Sequence, residues 1–156
     1  MNPLLPFLMA GDPPLEVLPI LLSTAKRLGL PAVEVGLPHS DPIADGPVLQ
    51  AAAQRAVARG VTPVRVLEAL SGVRDSPDVV LFTYFNPLLQ LGPSRLIELL
   101  GPTPVKALLV VDLPAGEEPE WETKLHLAGY PLIPLLAPTT DLDRARKILQ
   151  AWPDPG

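Results

Sequence analysis

The chain has 156 residues, 47% of them apolar and 19% charged, with a net charge of −5. That is enough apolar mass for one packed domain, and it lacks the concentrated basic surface that binding to nucleic acid requires. With no cysteine, disulfides, thiolate metal sites and a cysteine nucleophile are excluded. No apolar run approaches the ~18 residues of a membrane-spanning helix, so no contact with membrane is expected.

In chain order, Leu4 to Met9 is a strand candidate ending at Gly11-Asp12-Pro13. Met1 to Ala10 has no basic region and is interrupted by Pro3 and Pro6, so it reads as a strand rather than a signal peptide, and the cytoplasm is the expected location. Pro14 to Leu28 carries Leu15, Leu18, Leu21, Leu22 and Ala25 at helical spacing and is closed by Gly29. Ala32 to Gly36 is a second strand, Leu37 to Gly46 a loop, and Pro47 to Val57 a helix. Thr62-Pro63 caps a further helix with Val66, Leu67, Leu70 and Val73 on one face. Val79 to Tyr84 is a third strand, Pro93 to Leu100 a short helix, Val105 to Val111 a fourth strand, Glu118 to Leu127 a helix, and Leu132 to Leu136 a fifth strand. A last helix begins after Thr140, its apolar face formed by Leu142, Ala145, Ile148, Leu149 and Trp152.

Strands thus alternate with helices at steps of roughly 26 to 30 residues, longer after the second strand, which implies an α/β fold with parallel strands and right-handed crossovers. An open doubly wound sheet and a (β/α)8 barrel both fit this pattern, and periodicity does not choose between them. No G-x-G-x-x-G follows the first strand, so a dinucleotide site has no support. The sequence also lacks G-x-S-x-G, P-loop and H-E-x-x-H patterns.

Two carboxylates stand out. Val33 and Val35 fall on one face of the second strand, which puts Glu34 on the other. In a barrel that face is the interior, near the strand ends where barrel active sites lie, and partial desolvation there suits a carboxyl to proton transfer. A solvent-facing or arginine-paired glutamate explains the same residues equally well. Asp45, just ahead of a helix, has a strong alternative as a helix-start residue stabilised by free N–H groups, and Asp41 before Pro42 has one as a turn former. On local sequence alone, capping outweighs catalysis for both. His39 and His126, the only histidines, are too far apart in sequence to suggest a metal site and receive no role.

The stretch from Val33 through Glu34, Gly36-Leu37-Pro38-His39-Ser40-Asp41-Pro42-Ile43-Ala44-Asp45 to Gly46 resembles the signature of the tryptophan synthase alpha chain family. The resemblance continues in order through Pro6 to Pro13, Tyr84-Phe85-Asn86-Pro87, Asp112-Leu113-Pro114 and Leu136-Ala137-Pro138-Thr139. It implies a TIM barrel, here incomplete, with about five βα units in a single partial domain over residues 1–156. It also implies a lyase that cleaves indole-3-glycerol phosphate to indole and glyceraldehyde 3-phosphate without metal or organic cofactor, in tryptophan biosynthesis.

The resemblance assigns Glu34 as general acid/base and Asp45 as the carboxylate that accepts the indole N–H and stabilises positive charge on the ring. Phe7, Phe82, Leu109, Val111 and Leu136 would line the indole pocket, and Tyr84 would lie behind the catalytic loop. The partner implied is a tryptophan synthase beta subunit, met by Pro38, Asp41, Asn86 and Pro114. Against the family pattern, the helix before strand one, strands six to eight and the glycine-rich loops that hold the substrate phosphate are expected to be missing. Two readings follow. One is a lyase whose missing portion is supplied in cis or by another chain, and the other is a truncated, non-catalytic remnant that binds or modulates the beta subunit.

Overall fold

The computed structural model describes residues 4–151. Four parallel strands, β1 (Phe7–Met9), β2 (Ala32–Gly36), β3 (Asp78–Thr83) and β4 (Val105–Val110), lie side by side in the order of the sequence. A doubly wound sheet reverses its order at a switch point, whereas strands added steadily in one direction are the arrangement of part of a barrel.

Side-chain alternation divides the sheet. Val33, Val35, Leu81, Leu108 and Val110 point outward and are buried. They pack beneath α1 (Leu18–Arg27), α3 (Pro63–Leu70), α5 (Pro93–Leu100) and α6 (Pro119–Leu127), through Leu22, Leu67, Leu70, Leu96, Leu100 and Leu125, each fully buried. Burying a leucine in this way contributes about 1.5–3 kcal/mol, so this layer carries most of the stability. Most elements form where expected. In α3, Thr62 accepts the Arg65 N–H at 3.3 Å and Pro63 opens the first turn, where a proline N–H is not needed. The helix expected from Pro14 begins instead as a 3-10 turn at Leu15–Val17, because Pro19 has no N–H to donate back into that turn.

The helix α2 (Pro47–Ala58) joins this layer through Ala56 and otherwise packs elsewhere. Its Ala52 and Ala53 pack with Met9 and Phe7, over β1 rather than behind the sheet. The Asp12 carboxylate fixes it there, accepting from Arg55 at 2.6 and 3.0 Å and from Arg59 at 3.3 Å, while Arg59 also donates to the Gly11 carbonyl at 2.6 Å. Gly11 is required by this contact. Its φ is +91°, and a Cβ there would come within 2.7 Å of the Val61 side chain and 3.0 Å of Ala56.

Three expectations are corrected. A helix not foreseen, α4 (Phe85–Leu91), follows β3 directly, started by Asp112, whose carboxylate accepts the Phe85 N–H at 2.6 Å. Leu132 to Leu136 is not a strand. Leu132 makes one isolated parallel bridge to Leu108, and pairing stops there because Pro131 and Pro134 have no N–H to donate to a ladder. The last helix, α7 (Leu142–Ala151), accordingly has no strand beneath it. Leu142 and Leu149 are exposed, Ala145 and Ile148 are half-buried, and Trp152 lies outside the described residues. Between α6 and α7 a groove of about 460 Å³ remains, lined by residues such as Val110, His126, Leu132 and Ile148, and neither Glu34 nor Asp45 reaches it. Among the described residues no helix is long and apolar enough to cross a membrane.

Candidate active site

Glu34 lies on the inner face of β2, opposite Phe7 of β1 and Val80 of β3. The side chain is half-buried, and burial pushes its carboxyl above the ordinary carboxylate range. No cation is paired with it, so the alternative of an arginine-paired glutamate is not what this fold contains among the described residues. The inner face beside it is apolar. The Phe7 and Phe82 rings meet edge to face, with centroids 5.2 Å apart and planes at 85°. Leu109 is opposite Phe82 and largely buried, and Val111 follows on the same face, its N–H donating to the Thr83 carbonyl at 3.0 Å.

The loop after β2 rises from the same rim. The Leu37 N–H donates to the Phe82 carbonyl at 2.8 Å, continuing the ladder, and the chain then turns at Asp41 and Pro42, whose carbonyls accept from Ile43 and Asp45. Asp45 does not cap α2. The N-cap is Gly46, with no side-chain cap bond, so the helix-start explanation of Asp45 fails. The Tyr84 hydroxyl at the end of β3 accepts the Ala44 N–H at 3.0 Å, which brings that hydroxyl to the neighbourhood of the Asp45 carboxylate. Burial raises the Asp45 carboxyl. Both carboxyls are partly desolvated, and only for Asp45 does a neighbouring hydroxyl, that of Tyr84, work against the rise.

Two residues that organise the loop were not assigned from the sequence. Gln50 of α2 donates to the carbonyls of Asp45 at 2.9 Å and Pro42 at 3.3 Å, and His39 stacks on Tyr84 with centroids 5.0 Å apart. Tyr84, expected behind the loop, is buried there and joins it through the Ala44 N–H and the His39 ring. Leu136 is 42% exposed in irregular chain beyond the sheet and does not join the apolar wall formed by Phe7, Phe82, Leu109 and Val111. Of the expected partner-facing residues, Asp41, Asn86 and Pro114 are exposed, while Pro38 is buried beneath the loop.

The chain as a whole has counterparts among known proteins. The tryptophan synthase alpha chain family profile matches residues 1–152. The chain belongs to that family. A tryptophan synthase alpha chain of a Synechococcus strain is 47% identical over 150 residues, covering 95% of this chain and 56% of the relative. The corresponding chain of Gloeobacter violaceus is 43% identical, with 94% and 54% covered. Among solved structures, the alpha subunit of Legionella pneumophila superposes with a TM-score of 0.88 at 31% identity, covering 97% of this chain and 59% of that one. The tryptophan synthase complex of Pyrococcus furiosus matches with a TM-score of 0.83 at 33% identity, 94% of this chain and 62% of that one being covered. The chain spans about half the length of the family members it matches. These superpositions agree with the partial-barrel reading that strand order alone supports.

Proposed function

We propose that this site carries the retro-aldol cleavage of indole-3-glycerol phosphate to indole and glyceraldehyde 3-phosphate, with Glu34 as general acid/base and Asp45 as the carboxylate that accepts the indole N–H. The observation that carries the reading is a half-buried strand glutamate, with no salt-bridge partner among the described residues, beside the crossed Phe7 and Phe82 rings, on the strand that leads into the loop bearing Asp45. A raised carboxyl keeps a larger protonated fraction near neutral pH, which an acid needs in order to deliver its proton.

In the proposed sequence, protonated Glu34 gives its proton to the indole carbon that bears the side chain, and the ring becomes cationic. Asp45 stabilises that charge through the ring N–H. The Glu34 carboxylate then takes the proton of the side-chain hydroxyl, the oxygen electrons form the aldehyde, and the pair of the breaking C–C bond returns to the ring. One proton leaves Glu34 and one comes back, so the enzyme is regenerated.

Phe7, Phe82, Leu109 and Val111 supply the apolar wall for the ring. Asp41, Asn86 and Pro114 form the exposed surface toward a beta subunit, with Pro38 supporting the loop from below. Residues 1–156 act as one partial-barrel domain, and a cytoplasmic setting completes the proposal.

Indole release from indole-3-glycerol phosphate tests the reading. Release is expected, and Glu34→Gln should slow it by about 10²–10⁴-fold, the usual contribution of a general acid/base. Release that is indifferent to this substitution would remove Glu34 from the chemistry. No release by the chain would favour the second reading, a non-catalytic remnant acting on the beta subunit through the exposed Asp41, Asn86 and Pro114.

A further inference from the structure

We infer that Gly36 is a positioning residue, whose missing side chain leaves the space in which the Phe7 ring is seated against Phe82 beside Glu34. The inference rests on the reading of the inner face as the substrate pocket and names what sets the shape of its aromatic wall.

Backbone conformation does not explain this glycine. Its φ lies outside the left-handed region, so alanine could adopt the same geometry. Space is the constraint. A Cβ built at Gly36 falls on Cζ of Phe7, 2.9 Å from its Cε2 and 3.4 Å from its Cε1, and so meets the far end of the ring. The strand register explains the contact. Across β1 and β2, Phe7 is opposite Glu34 and Met9 is opposite Gly36, so the Phe7 ring leans along the sheet from the level of Glu34 to that of Gly36. On its other side Gly36 is opposite Phe82, the partner of Phe7 in the edge-to-face pair. The glycine therefore sits beneath the junction of the two rings.

Because the obstructing atoms belong to the tip of one side chain, the expected response to a larger residue is movement of that ring rather than collapse of the sheet. Met9, Ala52 and Ala53 also pack on Phe7, so the ring has little freedom to accommodate a Cβ in place. Displacing it uncovers Glu34 and opens the wall.

The test compares the unsubstituted chain, Gly36→Ala, Phe7→Leu and the double variant, with Gly101→Ala as a control at a glycine remote from the site whose Cβ meets only ordinary contacts. Ring-to-ring NOEs between Phe7 and Phe82 and the NMR titration of Glu34 are read without ligand, and indole itself is then titrated. In Gly36→Ala the NOEs should be lost, the Glu34 midpoint should fall toward the ordinary carboxylate value, and indole should bind about tenfold or more weakly, as when an apolar pocket is misfitted by one group. Gly101→Ala should change none of these.

Leucine at position 7 lacks the ring tip, so the double variant should fold as stably as Phe7→Leu alone. If Gly36→Ala does not fold, a folded double variant supports the ring seat and an unfolded one overturns it. Unchanged NOEs and titration in Gly36→Ala also overturn it, whatever indole does. Failure of the unsubstituted chain to bind indole, with the NOEs lost in Gly36→Ala, overturns the pocket reading and leaves the ring seat standing.

Discussion

Glu34 owes its place to a two-residue alternation. Val33 and Val35 must face the helices, so the residue between them faces inward, where burial raises its carboxyl with no cation to offset it. A carboxyl raised on folding contributes stability only while it is protonated in both states, and that contribution is lost as pH rises through its folded value. Glu34→Gln removes the penalty. Its melting temperature should exceed that of the unsubstituted chain at pH ~7, with the gap closing as pH falls toward ~4, where the unfolded glutamate is itself protonated. A thermal unfolding series over pH checks this, and a gap that widens toward acid would contradict it. The same trade of stability for a desolvated acid is common at functional sites. Tyr84→Phe leaves the Ala44 N–H without its acceptor and removes the hydroxyl that works against the rise of the Asp45 carboxyl. We expect a loss of about 1–3 kcal/mol in urea unfolding and a further rise of the Asp45 carboxyl, measurable by NMR titration.

Among the elements, α2 has the most specific duty. The Arg55 and Arg59 bonds to Asp12 hold it against the turn after β1, and Gln50 reaches from it to the backbone of the loop that carries Asp45. Asp12 is depressed, first by its hydrogen bond from Arg55, so its stabilising contribution is present above the unfolded carboxylate range and lost as pH falls through the folded value. Asp12→Asn should therefore melt at a lower temperature at neutral pH, with the difference vanishing in acid. A difference that persists in acid would assign the effect to packing instead. The sheet-to-helix layer behaves differently. Leu81 is fully buried beneath the helices, and Leu81→Ala should cost about 2–5 kcal/mol in urea unfolding at every pH.

Over the whole molecule, what could be read from the sequence divides by range. The alternation of strands and helices, and the inward phase of Glu34, follow from local periods and were legible. Helix α4 was not, because the acceptor that starts it is Asp112, far along the chain at the end of β4. Asp45 was read locally as a helix-start residue, since nothing near it in sequence announces that the Tyr84 hydroxyl comes to its loop or that Gly46 is the N-cap. The fifth strand failed for the opposite reason. Leu132 to Leu136 has strand-like apolarity, but Pro131 and Pro134 deny it the ladder, and with it go the wall position expected of Leu136 and the burial expected of α7.

In the proposed function Glu34 delivers a proton to the substituted carbon of an indole ring held beside it. Exchange of the hydrogen at that carbon of free indole in D2O, followed by NMR, isolates the step without requiring the phosphate-bearing side chain. Exchange should be faster than in buffer with the unsubstituted chain, falling by about 10²–10⁴-fold toward the buffer rate with Glu34→Gln. Exchange no faster than buffer, or acceleration that survives Glu34→Gln, would remove Glu34 as the proton donor.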